Sequence, residues 1–245
     1  MTGSAPRVAL VTGGSGGIGG AVVRRLAADG FAVGVHYGGN KAGAERLVDD
    51  ITAAGGHAIA IGGDVADESA MAAAFDAVEG AFGGLDVVIN TAAIVLLSPI
   101  ATLDLDDLDR MHRTNIRGTF VVSQQAARRV RSGGAIVNFS TTAGRTSQPT
   151  YGAYVASKAA VEAITLVLAR ELRGRDITVN AICPGPTETP MLLAGKDMQA
   201  IQNFAKAAPL ERLGRPEDIA EAVAFLGGPA RWINGQVSYV NGGLA

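Results

Sequence analysis

Short apolar runs alternate along the chain with longer segments in which apolar residues recur at helical spacing. The short runs are rich in β-branched residues and predict seven strands, at 7–11, 31–37, 57–61, 86–90, 134–139, 176–182 and 236–240. The longer segments predict helices at 17–29, 41–54, 67–82, 104–131, 152–173 and 216–226, with a less regular helical stretch near 191–206. This alternation is typical of a parallel sheet built from βαβ units.

No low-complexity linker and no internal repeat interrupts the pattern. It therefore predicts one α/β domain over 1–245, a doubly wound Rossmann fold whose seven-stranded parallel sheet is flanked by helices. Ligands bind such sheets at the carboxyl ends of the strands, so the irregular segment near 186–207 is expected to form a substrate lid.

Composition narrows the class of protein. The 245 residues are 48% hydrophobic and 18% charged, as in a compact globular protein, and the formal charge of −2 provides no overall field to hold nucleic acid or an anionic membrane. Cys183 is the single cysteine, so no internal disulfide is expected, and three scattered histidines (His36, His57 and His112) have no metal-ligand spacing. They are expected to lie at the surface or in polar networks.

The location in the cell is expected to be cytoplasmic. The first seven residues have neither the basic stretch nor the apolar core of a signal peptide. No uninterrupted apolar run reaches the roughly 18 residues of a membrane span.

Glycine is in excess, with 33 residues, and it is concentrated between the first strand and the first helix. The segment 12–19 reads Thr-Gly-Gly-Ser-Gly-Gly-Ile-Gly. At that position of a dinucleotide fold, glycines let the backbone turn tightly and let a pyrophosphate approach the positive end of the helix. The segment therefore predicts a nucleotide-binding loop.

A tyrosine and a lysine lie four residues apart near the start of the helix predicted at 152–173. This spacing puts the phenol of Tyr154 and the ammonium of Lys158 on one face, where the cation is expected to lower the phenol pKa towards neutrality. Such a phenol suits general acid/base chemistry. Tyr151 is excluded from this role because Val155 stands four residues after it.

With these motifs, the chain resembles the short-chain dehydrogenase/reductase family along essentially its whole length. Its Thr12, Gly13, Gly17 and Gly19 match the family's glycine fingerprint, and Tyr154 and Lys158 match its catalytic pair. Within the family, the closest resemblance is to 3-oxoacyl-acyl-carrier-protein reductases. The resemblance implies an enzyme that transfers hydride between a nicotinamide cofactor and a carbonyl or secondary alcohol, with Tyr154 as proton donor or acceptor.

The resemblance also implies where the cofactor lies. Asp64 and Val65 match the family's adenine contact, and the segment 184–189 matches its nicotinamide-side turn. The segment 90–93 departs from the usual Asn-Asn-Ala-Gly at Thr91 and Ala93. The residues expected to contact the cofactor are Gly13, Ser15, Gly17, Ile18, Gly19, Tyr37, Asn40, Lys41, Asp64, Val65, Asn90, Ala92, Tyr154, Lys158, Pro184, Gly185, Thr187 and Thr189.

The end of the second predicted strand indicates which nicotinamide cofactor is used. An NAD-binding protein places a carboxylate there to accept hydrogen bonds from the ribose hydroxyls, whereas 36–41 contains no acidic residue. Asn40 and Lys41 could instead hold a 2′-phosphate through hydrogen bonds and charge. NADP(H) is therefore predicted to be preferred over NAD(H).

Two further catalytic positions complete the expected site. The family's substrate-binding serine stands 13 residues before the tyrosine, where this chain has Thr141; Ser140 matches by residue type, so both stay candidates. A hydroxyl there would hold the carbonyl oxygen. Asn115 lies inside the helix predicted at 104–131, an unfavourable place for asparagine, and it matches the family's helix asparagine, which anchors a water linked to the lysine.

The substrate is less defined. Apolar residues at 94–100 and 191–207 predict a hydrophobic substrate pocket. The substrate could be a 3-oxoacyl thioester or another carbonyl compound such as a steroid, quinone or sugar. A non-catalytic NADP-binding sensor on the same fold is the rival function. Five arginines could dock an acidic acyl carrier protein, at Arg128, Arg129, Arg131, Arg173 and Arg175. The family resemblance implies a homotetramer formed through 104–131, 152–173 and the last strand.

Overall fold

The computed structural model describes residues 5–245, so Met1–Ser4 of the N-terminal segment lie outside the described residues. Seven parallel strands form one sheet in the order β3-β2-β1-β4-β5-β6-β7. The strands are β1 Val8–Thr12, β2 Ala32–Tyr37, β3 His57–Gly62, β4 Val87–Asn90, β5 Ala135–Phe139, β6 Thr178–Pro184 and β7 Val237–Val240. All seven predicted strands and the Rossmann fold are confirmed.

Ten α-helices lie in the described part of the chain. They are α1 Gly17–Ala28, α2 Lys41–Ala53, α3 Glu68–Phe82, α4 Leu105–His112, α5 Gly118–Arg129, α6 Ala143–Thr146, α7 Gly152–Glu171, α8 Pro190–Leu193, α9 Met198–Ala207 and α10 Pro216–Gly227. The helix predicted at 104–131 contains one turn of π-helix, Arg113–Arg117, between α4 and α5. The stretch predicted near 191–206 divides into α8 and α9, and the sequence did not predict the short α6.

The core has two layers, one on each face of the sheet. Alternate residues of β1 point to opposite faces: Ala9 and Val11 pack against α1, α2 and α10, whereas Val8 and Leu10 pack against α3, α5 and α7. Every residue of β1 is buried because both faces are covered. The strand order reverses between β1 and β4, and ligands bind doubly wound sheets at the crevice this reversal creates.

Three side-chain observations refine the sequence predictions. His57 is exposed and His112 is half-buried, but His36 is 1% exposed and neither ring nitrogen has a hydrogen-bond partner within residues 5–245, so the expectation of a surface or networked histidine is wrong there. Burial lowers its pKa to about 4, which keeps the ring neutral. Cys183 is fully buried, and burial raises its pKa to about 11, so it is a neutral thiol in the core.

Helix α7 is long and apolar enough, by length and composition alone, to cross a membrane. It packs against β6 and contributes the buried Lys158 and Val161, as the core helix of a layered domain does. Among residues 5–245, no cluster of three or more His, Cys, Asp or Glu side chains could hold a metal ion.

Candidate active site

The glycine loop fits the close approach of a phosphate group. Gly13 has a φ of +65°, a conformation that L side chains rarely adopt. A Cβ at Gly19 would lie 2.2 Å from the Gly13 carbonyl oxygen, and a Cβ at Gly13 would lie 3.0 Å from the Ala92 nitrogen. Because Gly16 at the N-cap has no side chain, the first N–H groups of α1 are left for an anion. The loop therefore fits the pyrophosphate of a dinucleotide.

Buried hydrogen bonds join the loop to the neighbouring strands. The Thr12 hydroxyl donates to the Asn90 Oδ1 at 2.7 Å, and the Asn90 amide donates to the Thr119 hydroxyl at 3.2 Å and the Asn138 Oδ1 at 3.4 Å. Sequence reasoning found Asn90 but missed Thr119 and Asn138, although a buried strand that ends in asparagine is a signal for such a network. The network holds β1, β4, β5 and α5 in one register.

Thr91 stands where the family has its second asparagine, and its hydroxyl contacts the backbone of β1. Its hydroxyl donates to the Thr12 carbonyl at 2.5 Å. The same oxygen is 2.9 Å from the points where a Cβ at Gly13 or at Gly19 would stand. Thr91 therefore supports the glycine loop from the side of β4, and the departure from the family pattern keeps the loop anchored.

At the end of β2, Asn40 joins α2 to the glycine loop. Its side chain caps α2 by accepting from the Gly43 N–H at 3.1 Å, and it donates to the Ser15 carbonyl at 3.3 Å. Lys41 is exposed and pairs with Glu45 at 3.4 Å. The Tyr37 ring packs over Gly62, where a Cβ would lie 2.9 Å from it. The structure thus joins Ser15 and Asn40 at one edge of the loop, and it pairs Lys41 with a residue of its own helix.

The Asp64 carboxylate is fixed at both oxygens. Oδ1 accepts from the Ala66 N–H at 2.9 Å, and Oδ2 pairs with the Arg113 guanidinium. Partial burial would raise the pKa of Asp64, but the Ala66 and Arg113 hydrogen bonds outweigh it and the pKa is lowered. Val65 beside it is 5% exposed. The contacts of Asp64 and the burial of Val65 therefore fix the segment that is expected to contact adenine.

Tyr154 and Lys158 lie on α7 next to the end of β5. Burial raises the pKa of Tyr154 to about 12, although a hydrogen bond with the Thr141 side chain lowers it. The Lys158 ammonium donates to the Phe139 carbonyl at 2.7 Å and stands 6.0 Å from the centre of the Tyr154 ring, and burial lowers its pKa to about 8. The expectation that Lys158 lowers the pKa of Tyr154 is not met in this structure, where Tyr154 is a protonated phenol, a proton donor.

The two hydroxyl candidates point in different directions. Thr141 lies close enough to Tyr154 for its side chain to lower the pKa of the phenol, and its hydroxyl accepts from the Ala143 N–H at 3.2 Å. Ser140 is 4% exposed, and its hydroxyl donates to the Glu162 carboxylate at 2.6 Å. Successive residues at a strand end face opposite sides, which explains why only one of them reaches Tyr154. In this structure the Ser140 hydroxyl is therefore turned away from Tyr154, and Thr141 is the candidate next to the phenol.

We expect Thr141→Ala to lower kcat by about a hundredfold, since it removes the hydroxyl next to the Tyr154 phenol, where the carbonyl oxygen is expected to bind. Thr141→Ser should keep most of the rate, and Ser140→Ala should keep it because that hydroxyl is turned towards Glu162. Steady-state kinetics of the three variants decide between the positions. A large loss in Ser140→Ala with none in Thr141→Ala would reverse the assignment.

Asn115 sits in the π-helical turn, 1% exposed. Its side chain donates to the Ile94 carbonyl and accepts from the Ile94 N–H, both at 2.9 Å, and also donates to the Ser157 hydroxyl at 3.0 Å. These contacts join the loop after β4 to α7, one residue from Lys158. A single extra residue in a helix is common at functional sites, where it turns a side chain towards the chemistry.

The segment after β6 closes the other side of the crevice. The Thr187 hydroxyl donates to the Gly185 carbonyl at 2.9 Å, and Thr189 caps α8 by accepting from the Leu192 N–H at 3.2 Å. A Cβ at Gly17 would lie 2.8 Å from the Thr189 methyl carbon. The start of α8 therefore lies directly against the glycine loop. Pro184 is the last residue of β6 at this edge.

Comparison with known proteins places this geometry in context. Residues 13–245 match a family model described as Enoyl-(Acyl carrier protein) reductase. The chain is 42% identical to a short-chain type dehydrogenase/reductase of Picea abies, over 97% of this chain and 92% of that protein. It is 39% identical to the 3-oxoacyl-[acyl-carrier-protein] reductase FabG of Staphylococcus aureus, over 96% of this chain and 97% of that protein.

Solved structures resemble the fold closely. A short-chain dehydrogenase from Burkholderia cenocepacia J2315, in complex with NADP, is 41% identical with a TM-score of 0.92 and covers 98% of both chains. A blue fluorescent protein from a metagenomic library, in complex with NADPH, is 38% identical with a TM-score of 0.92, also over 98% of both chains.

Proposed function

This chain belongs to the short-chain dehydrogenase/reductase family and is an oxidoreductase, and on that basis we propose that it uses NADP(H) to reduce the carbonyl group of a small-molecule substrate, with alcohol oxidation as the reverse reaction. The observation that carries the proposal is the meeting of Tyr154, Thr141 and Lys158 at the end of β5, beside a glycine loop shaped for a pyrophosphate. A non-catalytic NADP-binding sensor would need the glycine loop but not these three side chains.

The chain's own residues account for the acid/base part of the reaction. When bound, the nicotinamide supplies or accepts the hydride. Tyr154, whose pKa is about 12, holds a proton at neutral pH and donates it from its phenol oxygen to the carbonyl oxygen. The Thr141 hydroxyl donates to the same oxygen and stabilises the charge that develops there. Lys158, with a pKa of about 8, keeps a cation next to the phenol at neutral pH.

The proposed preference for NADP(H) depends on the residues that follow β2 and on the solved structures that resemble this chain. No acidic residue follows β2 through Lys41. A depression of about 420 Å³ next to the loop is lined by polar and basic side chains and, further along α2, by two carboxylates: Ser15, Asn40, Arg24, Arg46, Asp49 and Asp50. A 2′-phosphate would lie there against hydrogen-bond donors and cations. The Burkholderia and metagenomic neighbours were solved with NADP and NADPH.

The substrate is proposed to be apolar around its carbonyl. Leu97 and Met191, from the loop after β4 and from α8, are 40% and 55% exposed near the carboxyl ends of the strands. A 3-oxoacyl thioester fits such a surface, and the FabG relative is named for that substrate. The five arginines expected to dock an acyl carrier protein support that docking less than the sequence suggested. Arg129 pairs with Asp76 and Glu79, and Arg131 pairs with Asp86.

We also propose a homotetramer located in the cytoplasm. The outer side of α4 and α5 exposes Leu105 at 67% and Phe120 at 57%, and the region before β7 exposes Trp232 at 99%. A subunit interface at these positions would cover these apolar side chains. Sedimentation at several protein concentrations measures the assembly directly.

The experiment that tests the function is an NADPH-oxidation screen over a panel of carbonyl compounds. The panel includes a 3-oxoacyl thioester, an aromatic ketone, a quinone and a sugar aldehyde, together with an enoyl thioester because of the matched family description. We expect at least one carbonyl compound to be reduced, with a higher kcat/KM for NADPH than for NADH. A higher kcat/KM with NADH would contradict the cofactor proposal, and reduction of the enoyl thioester alone would contradict the carbonyl proposal.

A further inference from the structure

The π-helical turn Arg113–Arg117 faces two different parts of the crevice. Asn115 points inward and binds the backbone of Ile94 and the hydroxyl of Ser157. Arg113 and Arg117, two residues to either side, point to the segment that follows β3. One turn of helix therefore touches both the catalytic end and the end of the crevice where Asp64 lies.

The contacts of the two arginines with that segment are specific. Arg113 pairs with the Oδ2 of Asp64. Arg117 donates to the Ala66 carbonyl at 3.0 Å and to the Glu68 carboxylate at 2.8 Å. Because the Oδ1 of Asp64 already accepts the Ala66 N–H at 2.9 Å, the pair with Arg113 removes the remaining rotation of the carboxylate. Each carboxylate oxygen keeps a second lone pair for another donor.

We propose that Arg113 is a positioning residue for the adenosine half of the cofactor, because it holds the Asp64 carboxylate in the orientation that accepts the adenine amino group. This inference rests on the proposed use of NADP(H) and on the adenine contact that the family resemblance implies for Asp64. The arginine itself needs no contact with the nucleotide. Its effect on binding passes through Asp64.

The exposure of the Arg113–Asp64 ion pair distinguishes a positioning role for Arg113 from a purely structural one. The side chains of Arg113 and Asp64 are 51% and 47% exposed, and ion pairs in such surroundings contribute little to the stability of a fold. Removing Arg113 should therefore leave the thermal unfolding temperature nearly unchanged. A carboxylate freed to rotate, in contrast, has to be ordered again whenever a nucleotide binds, and the affinity falls.

The test is a double-mutant cycle read by calorimetry with adenosine 2′,5′-bisphosphate, which has the adenosine end of NADP and no nicotinamide. We expect Arg113→Gln to raise its Kd about fivefold to tenfold, the effect of weakening one charge-assisted hydrogen bond. In an Asp64→Asn background the same substitution should change the Kd no further. Arg113→Lys, which keeps the charge, should recover most of the affinity.

Two controls define the result. Arg110→Gln removes a neighbouring exposed arginine that pairs with Asp107, and it should leave the Kd unchanged. NADH and NADPH should lose affinity by the same factor in Arg113→Gln, since both contain adenosine. The inference is overturned if Arg113→Gln does not change the Kd, or if it raises the Kd equally in both backgrounds. Wild-type protein that fails to bind the bisphosphate would instead overturn the proposed use of NADP.

Discussion

Tyr154→Phe is expected to lower kcat by about three orders of magnitude, because it removes the one proton donor placed at the reacting carbonyl. The phenol lies against Thr141, and its pKa of about 12 keeps it protonated at neutral pH. Loss of one hydroxyl leaves the ring and its packing in place, so the unfolding temperature and the Kd for NADPH should stay close to wild type. Steady-state kinetics, a melting curve and a binding isotherm measure the three quantities.

Tyr151→Phe is the matched control. Tyr151 is an aromatic neighbour of Tyr154, with ring centres 6.4 Å apart in an edge-to-face arrangement, and it also carries a phenol, at the N-cap of α7. It has no lysine four residues later, so this variant should keep the wild-type rate. Equal losses in the two variants, or wild-type turnover in Tyr154→Phe, would refute the assignment of Tyr154 as the proton donor.

Gly19→Ala is expected to weaken NADPH binding by up to about a hundredfold, since overpacking typically costs about 1–3 kcal/mol. The new Cβ would stand 2.2 Å from the Gly13 carbonyl oxygen, which is backbone and cannot move aside without opening the loop. Opening the loop displaces the N–H groups that would face the pyrophosphate. Calorimetric titration with NADPH measures the change.

The adjacent glycine provides the comparison. A Cβ at Gly20 would meet its nearest atom at 3.6 Å, an ordinary contact, and it lies in the same first turns of α1. Gly20→Ala should therefore bind NADPH as the wild type does, with equal or higher stability because alanine favours helix. If Gly19→Ala binds NADPH as tightly as Gly20→Ala, the loop does not hold the pyrophosphate as we propose.

The periodicity of the sequence was sufficient for the sheet and most helices because strands buried on both faces read as continuous apolar runs. It was not sufficient for the π-helical turn, since one extra residue between Leu105 and Arg129 leaves the apolar spacing nearly unchanged. The four residues of α6 are too few to show a period.

The candidate site also has residues that the sequence was sufficient to find and properties that it was not. The glycine loop, Tyr154 and Lys158 could be found because their chemistry depends on local spacing. The direction of the Ser140 hydroxyl could not, since its partner Glu162 is 22 residues away and meets it only after α7 packs on β5. The pKa of Tyr154 was also misjudged, because burial, which raises it, is a property of the folded chain.

Hydride transfer is tested most directly with NADPH deuterated at both C4 positions of the nicotinamide, together with a carbonyl substrate identified by the screen. We expect mass spectrometry and NMR to find deuterium on the former carbonyl carbon of the alcohol product, and we expect Tyr154→Phe to form this labelled product about a thousandfold more slowly. Tight NADPH binding without label in any product would contradict hydride transfer and would favour a non-catalytic, cofactor-sensing protein.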